Sequence, residues 1–238
     1  MRFTTARALA MVTPLIGLTL MGSPASAGQE DGSEGGDREV AAHLSPIEGS
    51  GVHGSGHAEV EFDGKSRIDE FELRADGLLA GAPHAAHIHF GEQARQECPT
   101  LADDTNDDGH LNTTEGLPAY GPIVLSLTTS GDTSPASALA VDRFPSTGGF
   151  DYERNGHFKT GKGVAEAIAA GKAVVVVHGV DHNGNGMYDF DAGVSDLDPS
   201  LPTEATDPAM CGVLEPDHEP DHEPDHKPDH KHEHGHEH

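Results

Sequence analysis

Four consecutive valines, Val174 to Val177, run straight into a histidine, His178. A β-branched run of this kind favours strand. Because it is apolar at every position, and not at alternate ones, neither face of that strand can lie in water. The chain must therefore supply sheet neighbours on both edges and cover on both sides. It carries the segments to do so. Ala58 to Phe62 alternates apolar and polar, Asp63-Gly64 is a hairpin signal, and Ile68 to Leu73 alternates again with a slip between Ile68 and Phe71. Pro122 to Leu127, Ala138 to Val141 and Phe150 to Phe158 read as further strands. Val164 to Ala170 is the one helical segment, ended by Gly171. Seven or eight short strands separated by turn signals predict an all-β fold, an antiparallel Greek-key sandwich with one short helix and long loops, over residues 44–214.

The ends differ from this body. Residues 1–27 have Arg2 and Arg7, a short apolar run from Ala8 to Met21, and the small-residue site Ala25-Ser26-Ala27. This pattern predicts a secretory signal cleaved near Ala27 and a secreted or extracytoplasmic protein. The apolar run is too short to span a bilayer, and no later stretch is long enough, so no membrane insertion is expected. Residues 28–43 are acidic and glycine-rich, a disordered leader. Residues 215–238 repeat Glu-Pro-Asp-His and hold eight histidines, His218, His222, His226, His230, His232, His234, His236 and His238. With proline at every fourth position through Pro228 and nothing apolar to bury, this is a disordered tail. Lys and Arg number 14 against 41 Asp and Glu, a net charge of −27. That excludes nucleic acid and anionic surfaces as partners and favours cations. Two cysteines in an exported chain predict one disulfide, Cys98 to Cys211.

The second constraint is His87-Ile88-His89. On a strand, residues i and i+2 share a face, so the two imidazoles project together. With His178 ending the valine strand they form a candidate three-histidine site for copper or zinc. The alternative for each is a histidine that merely satisfies its hydrogen bonds in the core. His84, just upstream, is either a fourth ligand or a loop residue, and is assigned to the loop.

HIHFG, then Cys98, VVVVH and CGVL resemble the Cu/Zn superoxide dismutases. The resemblance implies copper at His87, His89 and His178 and a disulfide between the cysteines. The chain also resembles the chordin-type (CHRD) domain through GSGVHGSGHAEVEF, GLLAGAPHAAHIH and AGKAVVVVH, over most of residues 44–180. That family has no well-defined biochemical activity, and the resemblance implies a related sandwich fold. The dismutase pattern breaks in two places. Only His110 and His157 stand where that family gathers its zinc ligands, and Thr206, Asp207 and Pro208 replace the arginine that attracts the anion.

Residues 104–115, DTNDDGHLNTTE, match a twelve-residue calcium loop at every position. Asp104, Asn106 and Asp108 offer side-chain oxygens, Gly109 turns the chain and His110 offers its carbonyl. Asn112 takes the water-linked position and Glu115 closes the site. Pro99 before, and Gly116 and Pro118 after, predict a loop between strands and not a helix-flanked one. A second loop begins at Asp181 and uses Asn183, Asn185, the Met187 carbonyl and Asp189. It lacks the closing Glu, for which Asp191, Asp196 or Asp198 is expected to substitute. The histidine-rich tail is expected to capture transition metals and to release them in mild acid. GHFKTGKG (156–163) lacks the Ser or Thr of a phosphate-binding loop, and no nucleophilic triad stands out. The residues thus predict a secreted metal-binding protein holding calcium and copper or zinc. The alternatives are a copper-only superoxide dismutase and an extracellular calcium-dependent interaction module.

Overall fold

The computed structural model describes residues 38–63, 67–156, 158–161 and 163–216. The expected signal segment, most of the leader and nearly all of the histidine-rich tail lie outside them, as does His157. Among the described residues nine strands form the fold: β1 (Arg38–Pro46), β2 (Gly56–Asp63), β3 (Arg67–Asp76), β4 (Ala86–His89), β5 (Ile123–Ser126), β6 (Gly149–Asn155), β7 (Val174–His178), β8 (Pro208–Val213) and β9 (Glu215–Pro216). β1 starts inside the segment expected as a leader, because Val40, Ala42 and Leu44 alternate inward and pair with β2. β9 extends the fold past residue 214.

Every strand pair is antiparallel, in the order β5-β4-β7-β8-β1-β2-β3-β6, with β9 along β1. β1 joins the two halves of this all-β sandwich, since Arg38–Leu44 pair with β2 while Ser45 and Pro46 pair with β8. The chain crosses between the halves at β3–β4, β5–β6, β6–β7 and β8–β9. Val60, Phe62, Phe71 and Leu73 from one half and Ile88, Leu125, Val175, Val177 and Met210 from the other share one buried core. The slip between Ile68 and Phe71 is a β-bulge: Phe62 faces Ile68 and Glu61 faces Glu70, so Asp69 has no partner.

The opposite face of β4, β7 and β8 is covered as well, as the valine run requires. Val174, Val176 and Cys211 turn away from the main core and pack with Ile47, Leu111 and Tyr120. The Cys98–Cys211 disulfide ties the covering segment to β8.

The described residues include two α-helices, α1 (Thr113–Tyr120) and α2 (Val164–Ala169). α2 was expected. α1 corrects the expectation of a loop without helical flanks. Asn112 caps it by accepting from Glu115 N at 3.0 Å, while Glu115 accepts from Asn112 N at 3.1 Å. Pro118 removes one bond from its ladder, but Thr114 N donates to Asp196, Thr113 Oγ1 donates to Thr206 O, and the buried Tyr120 anchors its end. Gly116 permits this last contact, for a Cβ there would lie 2.4 Å from the Tyr120 ring. A second correction concerns Ala138 to Val141. These residues are not a strand but join two 3-10 turns, Pro135–Ser137 and Val141–Arg143. Pro135 starts the first, and Leu139, Val141 and Phe144 line a cavity over the site in place of pairing in the sheet.

Candidate metal centre

His87 and His89 project from β4 beside the end of β7, where His178 follows a register shift at Val177/His178. All three lie on the covered outer face of the sheet and are 1–2 % exposed. Ring centroids are 5.0 Å (His87–His178), 5.8 Å (His87–His89) and 5.9 Å (His89–His178) apart. One potential ligand atom from each lies within 4.8 Å of the other two.

Each ring uses one nitrogen to donate to a backbone carbonyl. His87 Nε2 reaches Ala138 O at 3.1 Å, His89 Nδ1 reaches Gly121 O at 2.8 Å, and His178 Nδ1 reaches Thr206 O at 2.7 Å. The three acceptors share a position: each is the C-cap residue of a helical turn, Pro135–Ser137, α1 and Thr203–Ala205 respectively. Helix C-termini present unsatisfied carbonyls and partial negative charge, so they suit an N–H donor. The bond fixes each tautomer and leaves the other nitrogen as a lone pair. Those nitrogens, His87 Nδ1, His89 Nε2 and His178 Nε2, are buried without any hydrogen-bond partner. Burial, reinforced by the neighbouring histidines, holds His87 well below the ordinary histidine range and His89 at about 3. Burial brings His178 to about 4 despite the opposing bond to Thr206 O. All three are neutral at pH 7, the state a metal ligand requires. Three clustered, buried imidazoles with an unpartnered nitrogen each could hold a metal ion, with backbone carbonyls as the outer shell.

Beside His87 and His178 lies a cavity of about 20 Å³ walled by Leu139, Val141, Phe144, Leu197 and Leu201. Among the described residues no Lys or Arg lines it. The Asp207 carboxyl is buried and bonded to His182 Nε2 at 2.9 Å.

His84 is not a fourth ligand. It is fully buried, and desolvation lowers its pKa. Both ring nitrogens are engaged: Nε2 lies 2.8 Å from Leu79 O, and Nδ1 lies 3.0 Å from His178 O and 3.1 Å from the Tyr188 hydroxyl. Gly179 makes room for this pair: its φ is +107°, and a Cβ would lie 2.0 Å from the Tyr188 oxygen.

The two acidic loops share one hydrogen-bond pattern. In the first, Asp104 accepts from Asp107 N and Gly109 N, Asn106 from Asp108 N, and Asp108 from His110 N. In the second, Asp181 accepts from Gly184 N and Gly186 N, Asn183 from Asn185 N, and Asn185 from Met187 N. Positive φ falls at the same two places, Asp107 and Gly109 against Gly184 and Gly186. The closing carboxylates correspond too. Glu115 accepts from Thr105 N at 3.0 Å and Asn112 N at 3.1 Å. At the matching positions of the second loop, His182 N at 2.9 Å and Asp189 N at 2.7 Å donate to Glu204. Glu204, fully buried in the turn Thr203–Ala205, therefore takes the place expected for Asp191, Asp196 or Asp198. Asp196 instead holds α1, and Asp198 accepts from Ser200 N.

The structure thus brings His87, His89 and His178 together and arranges Asp104, Asn106, Asp108, His110, Asn112 and Glu115 around one loop. Asp181, Asn183, Asn185, Met187 and Asp189 are arranged around the other. Sequence reasoning missed Glu204, His182 and Asp207. No local signal marks Glu204, which reaches its loop only through the tertiary fold. Asn112-x-x-Glu115 did carry a legible helix-start signal. No protein-family model matches the chain, and no curated protein matches it.

Proposed function

We propose that this is an exported metal-binding protein whose sandwich holds one copper or zinc ion at His87, His89 and His178. The observation that carries the reading is the set of three buried imidazole nitrogens that converge without a partner. Leaving such groups unpaired costs about 1–3 kcal/mol each, and a metal ion satisfies all three at once. The disulfide supports an oxidising compartment, and no helix among the described residues is long and apolar enough to cross a membrane. The resemblance to the dismutase and CHRD sandwiches agrees with the antiparallel fold. The apolar, cation-free cavity beside the site favours metal holding over turnover of an anion such as superoxide. The test is metal competition against a chelator on the full-length chain and on His178→Gln, with melting temperature recorded for each. Loss of one tight equivalent, and of the metal-dependent rise in melting temperature, is expected in the variant. Equal tight binding and an equal rise in both proteins would overturn the assignment.

Calcium is the second part of the reading. The matching hydrogen-bond patterns support one ion in each acidic loop, closed by Glu115 in the first and by Glu204 in the second. Oxygen-only donor sets of this kind suit a hard cation at the millimolar concentrations met outside cells. The ions would stiffen the segments that deliver the Gly121 and Thr206 carbonyls to His89 and His178.

A further inference from the structure

The two acidic loops meet through their histidines. His110 of the first and His182 of the second stack at 4.0 Å with an interplanar angle of 27°. Asp207, one residue before β8, points into the same place, and its side chain is 1 % exposed. One potential ligand atom from each of His110, His182 and Asp207 lies within 4.8 Å of the other two.

We propose that His110, His182 and Asp207 form a second transition-metal site, for a divalent ion of the zinc class, built on residues distinct from the three-histidine centre. The donor set is two imidazoles and one carboxylate, which suits zinc and copper(II) and not calcium, whose ligands are oxygens. His182 Nε2 and Asp207 Oδ2 are 2.9 Å apart. Two ligands on a tetrahedral ion with bonds of about 2.0–2.1 Å are separated by roughly 3.3 Å, so the ion can take the position of the proton they now share. The remaining ligand atoms already have outer partners. Thr203 Oγ1 donates to Asp207 Oδ1 at 2.7 Å and fixes the carboxylate. His110 Nδ1 lies 3.1 Å from Asp108 Oδ1, the carboxylate–histidine pairing that leaves Nε2 to face a metal. His110 is the more exposed ring, with 23 % of its side chain accessible against 10 % for His182. The three side chains leave a fourth tetrahedral position for solvent. The ion would join the two loops directly, bonding His110 next to the Asp108 carboxylate and His182 next to Asp181.

The test is anomalous diffraction at the zinc edge from crystals of the full chain grown with zinc and calcium, for the unaltered protein and for His182→Gln. The expected result is a zinc peak bonded at about 2.0–2.2 Å to His110, His182 and Asp207. It should be lost in His182→Gln while any zinc at His87, His89 and His178 persists. Zinc at the three-histidine centre or the tail only, or a peak retained in the variant, overturns the proposal. The surface substitution His110→Gln provides a solution measurement that spares the buried Asp207. Titration of the full chain should show one fewer tight zinc equivalent than the unaltered protein, and an unchanged count overturns the proposal.

Discussion

Acid should unfold the metal-free protein mainly through three residues. In the unfolded chain His87, His89 and His178 protonate near the ordinary value of about 6.5. In the folded protein burial holds His89 at about 3 and His178 at about 4, with His87 also strongly depressed. Between these limits the unfolded state binds more protons, so stability is present above pH 6.5 and is lost as pH falls toward the folded values. From pH 7 to pH 5 His89 and His178 each cost about 2 kcal/mol, at 1.36 kcal/mol per pKa unit, or about 4 kcal/mol together, and His87 adds in the same direction. That is comparable with the whole stability of a typical domain, about 5–15 kcal/mol. His84, lowered by its own burial, adds in the same direction, while the raised pKa of Asp207 opposes it. The assay is urea unfolding with chelator at pH 7, 6 and 5, for the unaltered chain and for the triple variant His87→Gln/His89→Gln/His178→Gln. Comparing the two cancels every other titrating group. The unaltered protein should lose at least about 4 kcal/mol more than the variant across this range. Curves that fall in parallel, within about 1 kcal/mol, would refute the claim that these rings are neutral and desolvated.

Replacing both Cys98 and Cys211 by alanine should cost roughly 3–5 kcal/mol, since the bond spans a sequence separation of 113; thermal melting with and without reductant measures it. Ile88→Ala, fully buried between the two histidines but facing the main core, should cost about 2–5 kcal/mol in urea unfolding. Glu204→Gln should weaken calcium binding at the second loop by at least the ~10–100-fold that loss of an outer-shell partner costs a metal site. Calorimetric titration should show that loss for one ion only, and Glu115→Gln should remove the other.

Much of the fold was legible in the chain. The valine run before His178 required cover on both faces, and the structure supplies it with the sandwich core on one side and the disulfide-tied segment on the other. Alternation placed β2 and β3, including the bulge at Asp69, and Val164 with Gly171 bracketed α2. The errors were local patterns overruled by context. Apolar Ala138 to Val141 looked like strand, yet Pro135 starts a 3-10 turn and the side chains close a cavity. Pro118 looked like a helix breaker, yet the Asn112/Glu115 cap and the Tyr120 anchor outweigh one missing hydrogen bond.

The sequence by itself determined the donors: a His-x-His pair on one strand face, a histidine ending a buried strand, and two loops with regularly spaced oxygens. These follow from the periods of the strand and the loop, which are properties of a few neighbouring residues. Only the tertiary structure decided how the donors are used. It brought the carbonyls of Gly121, Ala138 and Thr206 to the three imidazoles, which sets their tautomers and aims their lone pairs. It carried Glu204 to the open end of the second loop and stacked His110 on His182 beside Asp207. Those partners are far apart in the chain, and no local spacing encodes a contact that forms only when separate loops fold over the same sheet face.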